Sequence, residues 1–238
     1  MLDIEREVIA KPASLDGFSP ATALVVAPHS DDEALGCGGL LLELARKRCR
    51  VAFLIVTDGR HGTAFTSLRE DALVRAREEE TRSAAQLLHV EDCYFLQEED
   101  TGVRNTRSLR DKISSILTRI DPELILLPYL YDAHSDHRAT AEATLQVLND
   151  LRFTGQILMY EVWTPLPANK VIAIDWDAKQ ALIKQFPTQL GEAGFYLEGA
   201  KSLARYRAMT AMNAPTGYAE CFLAWPLDTQ TGQFELRS

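Results

Sequence analysis

The sequence predicts an α/β fold, Rossmann-like, with a mostly parallel sheet carrying helices on both faces. Short runs rich in Val, Ile and Leu alternate with longer amphipathic ones, the order that strand–helix units produce. The strongest runs are continuously apolar rather than alternating, as strands covered on both sides require. Polar clusters follow two of these runs directly, which places them at the carboxyl edge of the sheet, where such folds bind ligands.

In chain order, ATALVVA at 21–27 reads as the first strand. It ends in Pro28-His29-Ser30-Asp31-Asp32-Glu33, then Gly36-Cys37-Gly38-Gly39 and a helical run at 40–47. VAFLIVT at 51–57 is the next strand. A helix over 68–88 follows, with Asp71/Arg75 and Glu78/Arg82 spaced as i,i+4 ion pairs on an exposed face. A weaker strand at 93–96 and a helix at 109–120 lead to LILL at 124–127. After that strand stands Tyr131-Asp132-Ala133-His134-Ser135-Asp136-His137-Arg138, and then a helix at 140–149 with Ala141, Leu145 and Leu148 on one face. Weaker strands at 157–161 and 171–174 and helices at 178–186 and 198–212 complete the reading. No repeat or linker interrupts it, so one domain over 1–238 is expected.

Composition bounds the function class. The chain has 238 residues, 46% hydrophobic and 25% charged, an ordinary globular balance that excludes a disordered chain. A net charge of −9 without a basic run argues against a nucleic-acid partner. Residues 1–20 show no leader pattern, and every apolar run falls short of the roughly 20 residues of a membrane span. Four cysteines without a CxxC pair argue against a zinc ribbon or a disulfide scaffold, and read as reduced, mostly buried thiols. A cytoplasmic location is expected.

The chemistry lies in the two clusters. His29 and Asp32, three apart at a helix entry, suit zinc or another divalent first-row metal, and Asp31 between them is left to handle a proton. The second cluster brings the total to three histidines and four aspartates; His61 and His89 stand outside and read as bystanders. Taken singly, Asp32 or Asp136 reads better as a helix cap. Two His/Asp clusters in equivalent positions favour a metal site.

These motifs resemble the PIG-L/LmbE family of zinc-dependent N-deacetylases, which act on N-acetylglucosamine-bearing compounds. PHSDDE (28–33) matches that family's [PA]-H-P-D-D-E, and HSDH (134–137) its H-P-D-H, with Ser for Pro in both. Arg77 with Glu80, Ala84 and Ala85 matches R-x-x-E-x-x-x-A-A, and Tyr218-Ala219-Glu220-Cys221-Phe222 matches Y-A-E-x-F. The likeness spans about residues 21–225. It departs at Ala133, where many members have Arg, at His89 in place of Gly, and at 97–103 (QEEDTGV), which lacks P-D-G.

The resemblance implies Zn2+ held by His29, Asp32 and His137, with Asp31 as general base. Asp136 would orient His134 and favour its charged form, so that His134 helps hold the oxyanion. Arg77 and Tyr196 would bind substrate, although a helix-surface ion pair and a packed core aromatic are their plainer readings. Trp163 and Tyr160 read either as sugar-stacking rings or as core, and Glu33 and Glu220 as structural partners. The substrate would be an N-acetylated amino sugar or glycoconjugate, and a homo-oligomer is open. The alternatives are an amidase for a larger acyl group or thiol conjugate, a silent sugar- or metal-binding protein, and a nucleotide site at Gly36–Gly39. The last lacks G-x-G-x-x-G.

Overall fold

Among the described residues, eight strands form one sheet in the order β1-β7-β8-β6-β5-β2-β3-β4. They are β1 (Ala13–Ser14), β2 (Thr22–Ala27), β3 (Arg50–Thr57), β4 (Asp92–Glu98), β5 (Leu124–Pro128), β6 (Gln156–Tyr160), β7 (Lys170–Ile174) and β8 (Tyr218–Ala224). The computed structural model describes residues 12–64, 66–190 and 194–225, so residues 1–11 of the stretch read for a leader lie outside the described residues. From β4 across to β6 all pairs are parallel, while β8 runs antiparallel between β6 and β7. The mostly parallel α/β expectation holds, with one reversed strand inserted.

The continuous apolar runs are explained by coverage on both sides. On β2, Ala23, Val25 and Ala27 face one cluster and Leu24 and Val26 the other, and all five are fully buried. Burying each larger side chain contributes about 1.5–3 kcal/mol. Helices α1 (Asp32–Arg46), α2 (Glu70–Leu87), α5 (Trp176–Ile183) and α7 (Phe195–Met212) pack on the first face. Helices α3 (Arg107–Ile120) and α4 (Ser135–Asp150) cover the second with Leu109, Ile113, Leu117, Leu145 and Leu148. The short α6 (Pro187–Leu190) follows α5. Among the described residues no helix is long and apolar enough to cross a membrane.

Three expectations change. The run expected at 40–47 is a helix from Asp32, because Gly36-Cys37-Gly38-Gly39 lies inside α1. Those glycines allow close approach: a Cβ at Gly36 would stand 2.2 Å from Tyr160 Cδ2, and one at Gly39 2.4 Å from Ile174 Cγ2. They serve packing rather than a phosphate loop. Strand β8, read only as a motif, closes the sheet between β6 and β7. On α2, Glu78 accepts from Gln97 Nε2 and Arg82 stands 4.9 Å above the Phe95 ring, in place of a Glu78/Arg82 pair.

The strand order sets the site. From β2 the chain moves outward through β3 and β4, then crosses back to place β5 on the other side of β2. Ala23, Leu24 and Val25 pair with Leu124, Ile125 and Leu126. The loops after β2 and β5 therefore leave side by side at the topological switch point.

Candidate active site

The loop after β2 carries His29, Asp31 and Asp32, and the loop after β5 carries His134, Asp136 and His137; the register just described brings them together. Asp32 Oδ2 accepts from the His29 backbone N–H (2.9 Å) and lies 3.2 Å from His29 Nδ1. The same oxygen is 3.2 Å from His137 Nε2. His137 is fully buried; its Nδ1 stands 3.5 Å from Asp132 Oδ1, and neither ring nitrogen makes a hydrogen bond of good geometry. A buried imidazole nitrogen that faces a carboxylate without a well-formed hydrogen bond is costly unless something coordinates it. Donors bound at about 2.0–2.1 Å to one tetrahedral ion stand about 3.3 Å apart, close to both separations at Asp32. The donor set, two imidazoles and a carboxylate, suits zinc chemistry. His134 adds a third imidazole: His29, His134 and His137 each offer a nitrogen within 4.8 Å of the others.

The far side of His29 is held by carboxylates. Its Nε2 lies 3.2 Å from Asp100 Oδ1 and 3.3 Å from Asp136 Oδ2. With a metal bound, an acceptor on Nε2–H would leave the Nδ1 lone pair free to ligate beside Asp32, the arrangement that orients ligating histidines. Asp100 is fixed in turn by the His61 backbone N–H (3.0 Å), and His61 lines the cleft. Asp136 accepts from Thr101 N (2.7 Å) and Val103 N (3.3 Å). It meets His134 through its backbone N–H, which donates to His134 Nδ1 at 3.2 Å. That contact leaves the proton of the neutral ring on Nε2. Burial, then the charges of His29 and His137, hold the His134 pKa below the usual imidazole value; Asp136 pulls toward the charged form, as expected, but is outweighed.

Neither Asp32 nor Asp136 acts as the side-chain cap of its helix. Position 134 caps α4, and the cap position of α1 is Asp31, whose side chain makes no capping bond. Asp31 adopts φ 114°, ψ −26°, a strained geometry for a non-glycine residue. Its backbone N–H donates to Glu33 Oε2 (3.1 Å). Burial raises its carboxyl to about 7, against the pull of Arg77, whose Nη2 is 3.6 Å from Oδ1. Arg77 is no surface residue: it is buried and donates to Ser30 O (2.6 Å) and Gly59 O (3.1 Å).

A cleft of about 230 Å3 brings His29, Asp31, Asp32, His134, Arg77 and Tyr196 to one surface. Tyr196 packs edge-on against Trp163, with ring centroids 5.2 Å apart. Tyr160 is core, its hydroxyl donating to Val26 O. Two carboxylates escaped the assignment. Asp100 follows β4 in a third strand-to-helix loop, the same position as the two motifs. Asp132 was in the second cluster without a role; it accepts from His134 N, Trp163 N and Thr164 N, tying that cluster to the Trp163 segment.

Comparison with known proteins gives a consistent picture. The model of the GlcNAc-PI de-N-acetylase (PIG-L) family matches residues 24–148. The diacetylchitobiose deacetylase of Thermococcus kodakarensis is 33% identical over 118 residues, 48% of this chain and 44% of that protein, so the alignment spans less than half of that relative. The uncharacterized deacetylase YaiS of Escherichia coli K12 is 33% identical over 146 residues, 58% of this chain and 72% of that protein. Among solved structures, the N,N'-diacetylchitobiose deacetylase of Pyrococcus horikoshii superposes with a TM-score of 0.79 at 23% identity, covering 93% and 90% of the two chains, a likeness of fold.

Proposed function

The chain belongs to the PIG-L family, and from that premise we propose that it is a metal-dependent N-deacetylase, releasing acetate and a free amine from an N-acetylated amino sugar or glycoconjugate. The observation that carries the reading is the pair of 3.2 Å separations at Asp32 Oδ2 beside a fully buried His137 without well-formed hydrogen bonds. His29, Asp32 and His137 would hold the ion, for which zinc is the best match. Bound there, zinc acidifies water and polarises an amide carbonyl.

The other residues divide the proton work. Asp31, on the cleft wall, takes a proton from the attacking water as its oxygen bonds to the acetyl carbon. Arg77 and Glu33 keep Asp31 in its strained position. His134, with its neutral-ring proton on Nε2, donates to the developing oxyanion. As the C–N bond breaks, Asp31 returns its proton to the departing nitrogen, since His134 already serves as the donor to oxygen. Four unpaired thiols suit a reducing compartment, for which we propose the cytoplasm.

The test is amine release from N-acetylglucosamine and N,N'-diacetylchitobiose, with metal content measured alongside. Activity is expected to vanish with a chelator and return with zinc. Asp31→Asn should keep the metal and lose about 100-fold or more in kcat, whereas His137→Ala should lose both. A fully active Asp31→Asn protein, or indifference to the chelator, overturns the reading.

A further inference from the structure

A second cavity, about 610 Å3, opens beside the catalytic cleft, and Leu35, Trp163 and Tyr196 line both. Its walls continue with Val162, Pro165, Phe195 and Leu203, from the segment after β6 and the first turns of α7. Trp163 is 44% exposed and Phe195 63%, so two large aromatic side chains of one wall face outward. Such patches mark binding surfaces. No lysine or arginine is among the described lining residues. Of the two acids, Glu161 is bound to Arg207 and to Leu166 N, which leaves Glu198 as the charge facing the groove.

We propose that this groove takes the aglycone of the substrate, an uncharged apolar chain or ring joined to the amino sugar whose acetamido group lies at Asp31 and His134. The inference rests on the deacetylase reading. The catalytic cleft alone falls below the roughly 300–1,000 Å3 of pockets that enclose whole ligands. It suits the acetamido end and its sugar ring, and the continuous space beyond is apolar. The edge-to-face pair of Trp163 and Tyr196 stands at the junction, where a pyranose ring can lie on an aromatic face. An anionic carrier would lose its hydration beside Glu198 without gaining a cation.

The experiment compares methyl, hexyl and octyl β-glycosides of N-acetylglucosamine below micelle-forming concentrations. It reads both kcat/KM for amine release and the dissociation constant from tryptophan fluorescence. Each fully buried methylene is worth up to about fourfold in affinity; in a groove open to solvent we expect at least about tenfold between methyl and octyl. Gly199 lines the groove, and a Cβ there meets nothing within 4 Å, so Gly199→Phe starts a bulky side chain in open space beside the groove. Replacing a glycine within a helix also favours folding. The octyl advantage is expected to fall to about twofold in Gly199→Phe and in Leu203→Glu, with the methyl glycoside unchanged. Equal constants for methyl and octyl, or an advantage that survives both variants, overturn the inference even if amine is released. Tighter octyl binding that both variants abolish upholds it even if no amine appears, in which case the deacetylase reading is what fails. A dimer that Gly199→Phe dissociates, without any chain-length dependence, assigns the groove to a second copy and overturns it too.

Discussion

Asp31 holds a backbone geometry that costs about 1–3 kcal/mol, and the groups that hold it there are buried neighbours: Glu33 on its N–H and Arg77 on Ser30 O. The strain turns its carboxylate into the cleft, while Asp32 turns back toward the two histidines. His29 is supported by the same logic at longer range, through Asp100. Asp100→Asn removes the nearer of the two carboxylates on Nε2, and metal affinity should weaken about 10-fold or more with the fold intact. Competition with a chromophoric chelator measures this, and an unchanged affinity would remove Asp100 from the supporting role. The difference between Asp32 and Asp100 also explains what was legible. Asp32 lies three residues from His29, so one motif displays both. Asp100 lies 71 residues away and is joined to His29 only by the strand order. Arg77 misled in the opposite direction: its neighbours Glu78, Glu79 and Glu80 suggest an exposed face, yet loop carbonyls from two strand ends draw it inside.

Helix α1 carries the first motif and is broken within its second turn, at Cys37 (φ −138°, ψ 16°). A break strands carbonyls on one side and N–H groups on the other. Here Lys179 Nζ donates to Leu35 O (2.7 Å), Glu220 accepts from Gly39 N (2.7 Å) and Leu40 N (2.8 Å), and the two charges meet at 2.6 Å. Both side chains are about 3% exposed. Removing one partner of such a pair costs about 3–5 kcal/mol, because the other charge is left buried. Lys179→Met should therefore lower Tm by at least about 6 °C at this chain length. Adding Glu220→Gln, which removes the stranded charge and keeps an acceptor, should recover part of that loss; thermal denaturation of the single and double variants decides, and a double variant less stable than Lys179→Met contradicts this account. The device was hidden in the sequence because its parts come from α1, α5 and β8. Glu220 was visible inside a motif, but only the antiparallel insertion of β8 gives it a partner. Periodicity likewise found α1 from residue 40 onward, since glycines read as a loop until Tyr160 and Ile174 are seen to need the room.

At the scale of the whole molecule, the sheet separates the four cysteines: Cys37 lies in α1, Cys49 just before β3, Cys93 on β4 and Cys221 on β8, all unpaired. The sequence spacing already argued for isolated thiols; the fold adds that Cys37, Cys49 and Cys221 are buried and Cys93 half-buried. Burial lifts Cys49 and Cys93 to about 11 and Cys221 to about 12, and Cys37, fully enclosed, rises as well. A thiol at about 11 is ionised to about one part in a thousand at pH 8, and the thiolate is the reactive form. The native chain should react slowly with a disulfide reagent at pH 8 and show four fast thiols once unfolded. The same shifts fix a sign for stability. The unfolded chain loses its thiol protons from about pH 9 while the folded chain keeps them, so folding binds protons across that window. Their contribution is complete below about pH 9 and is lost as pH rises through about 11 to 12. Tm should fall between pH 9 and 11, and a variant with Cys37, Cys93 and Cys221 replaced by alanine should fall less steeply. A native protein that titrates four thiols at once at pH 8 would contradict both the burial and the sign.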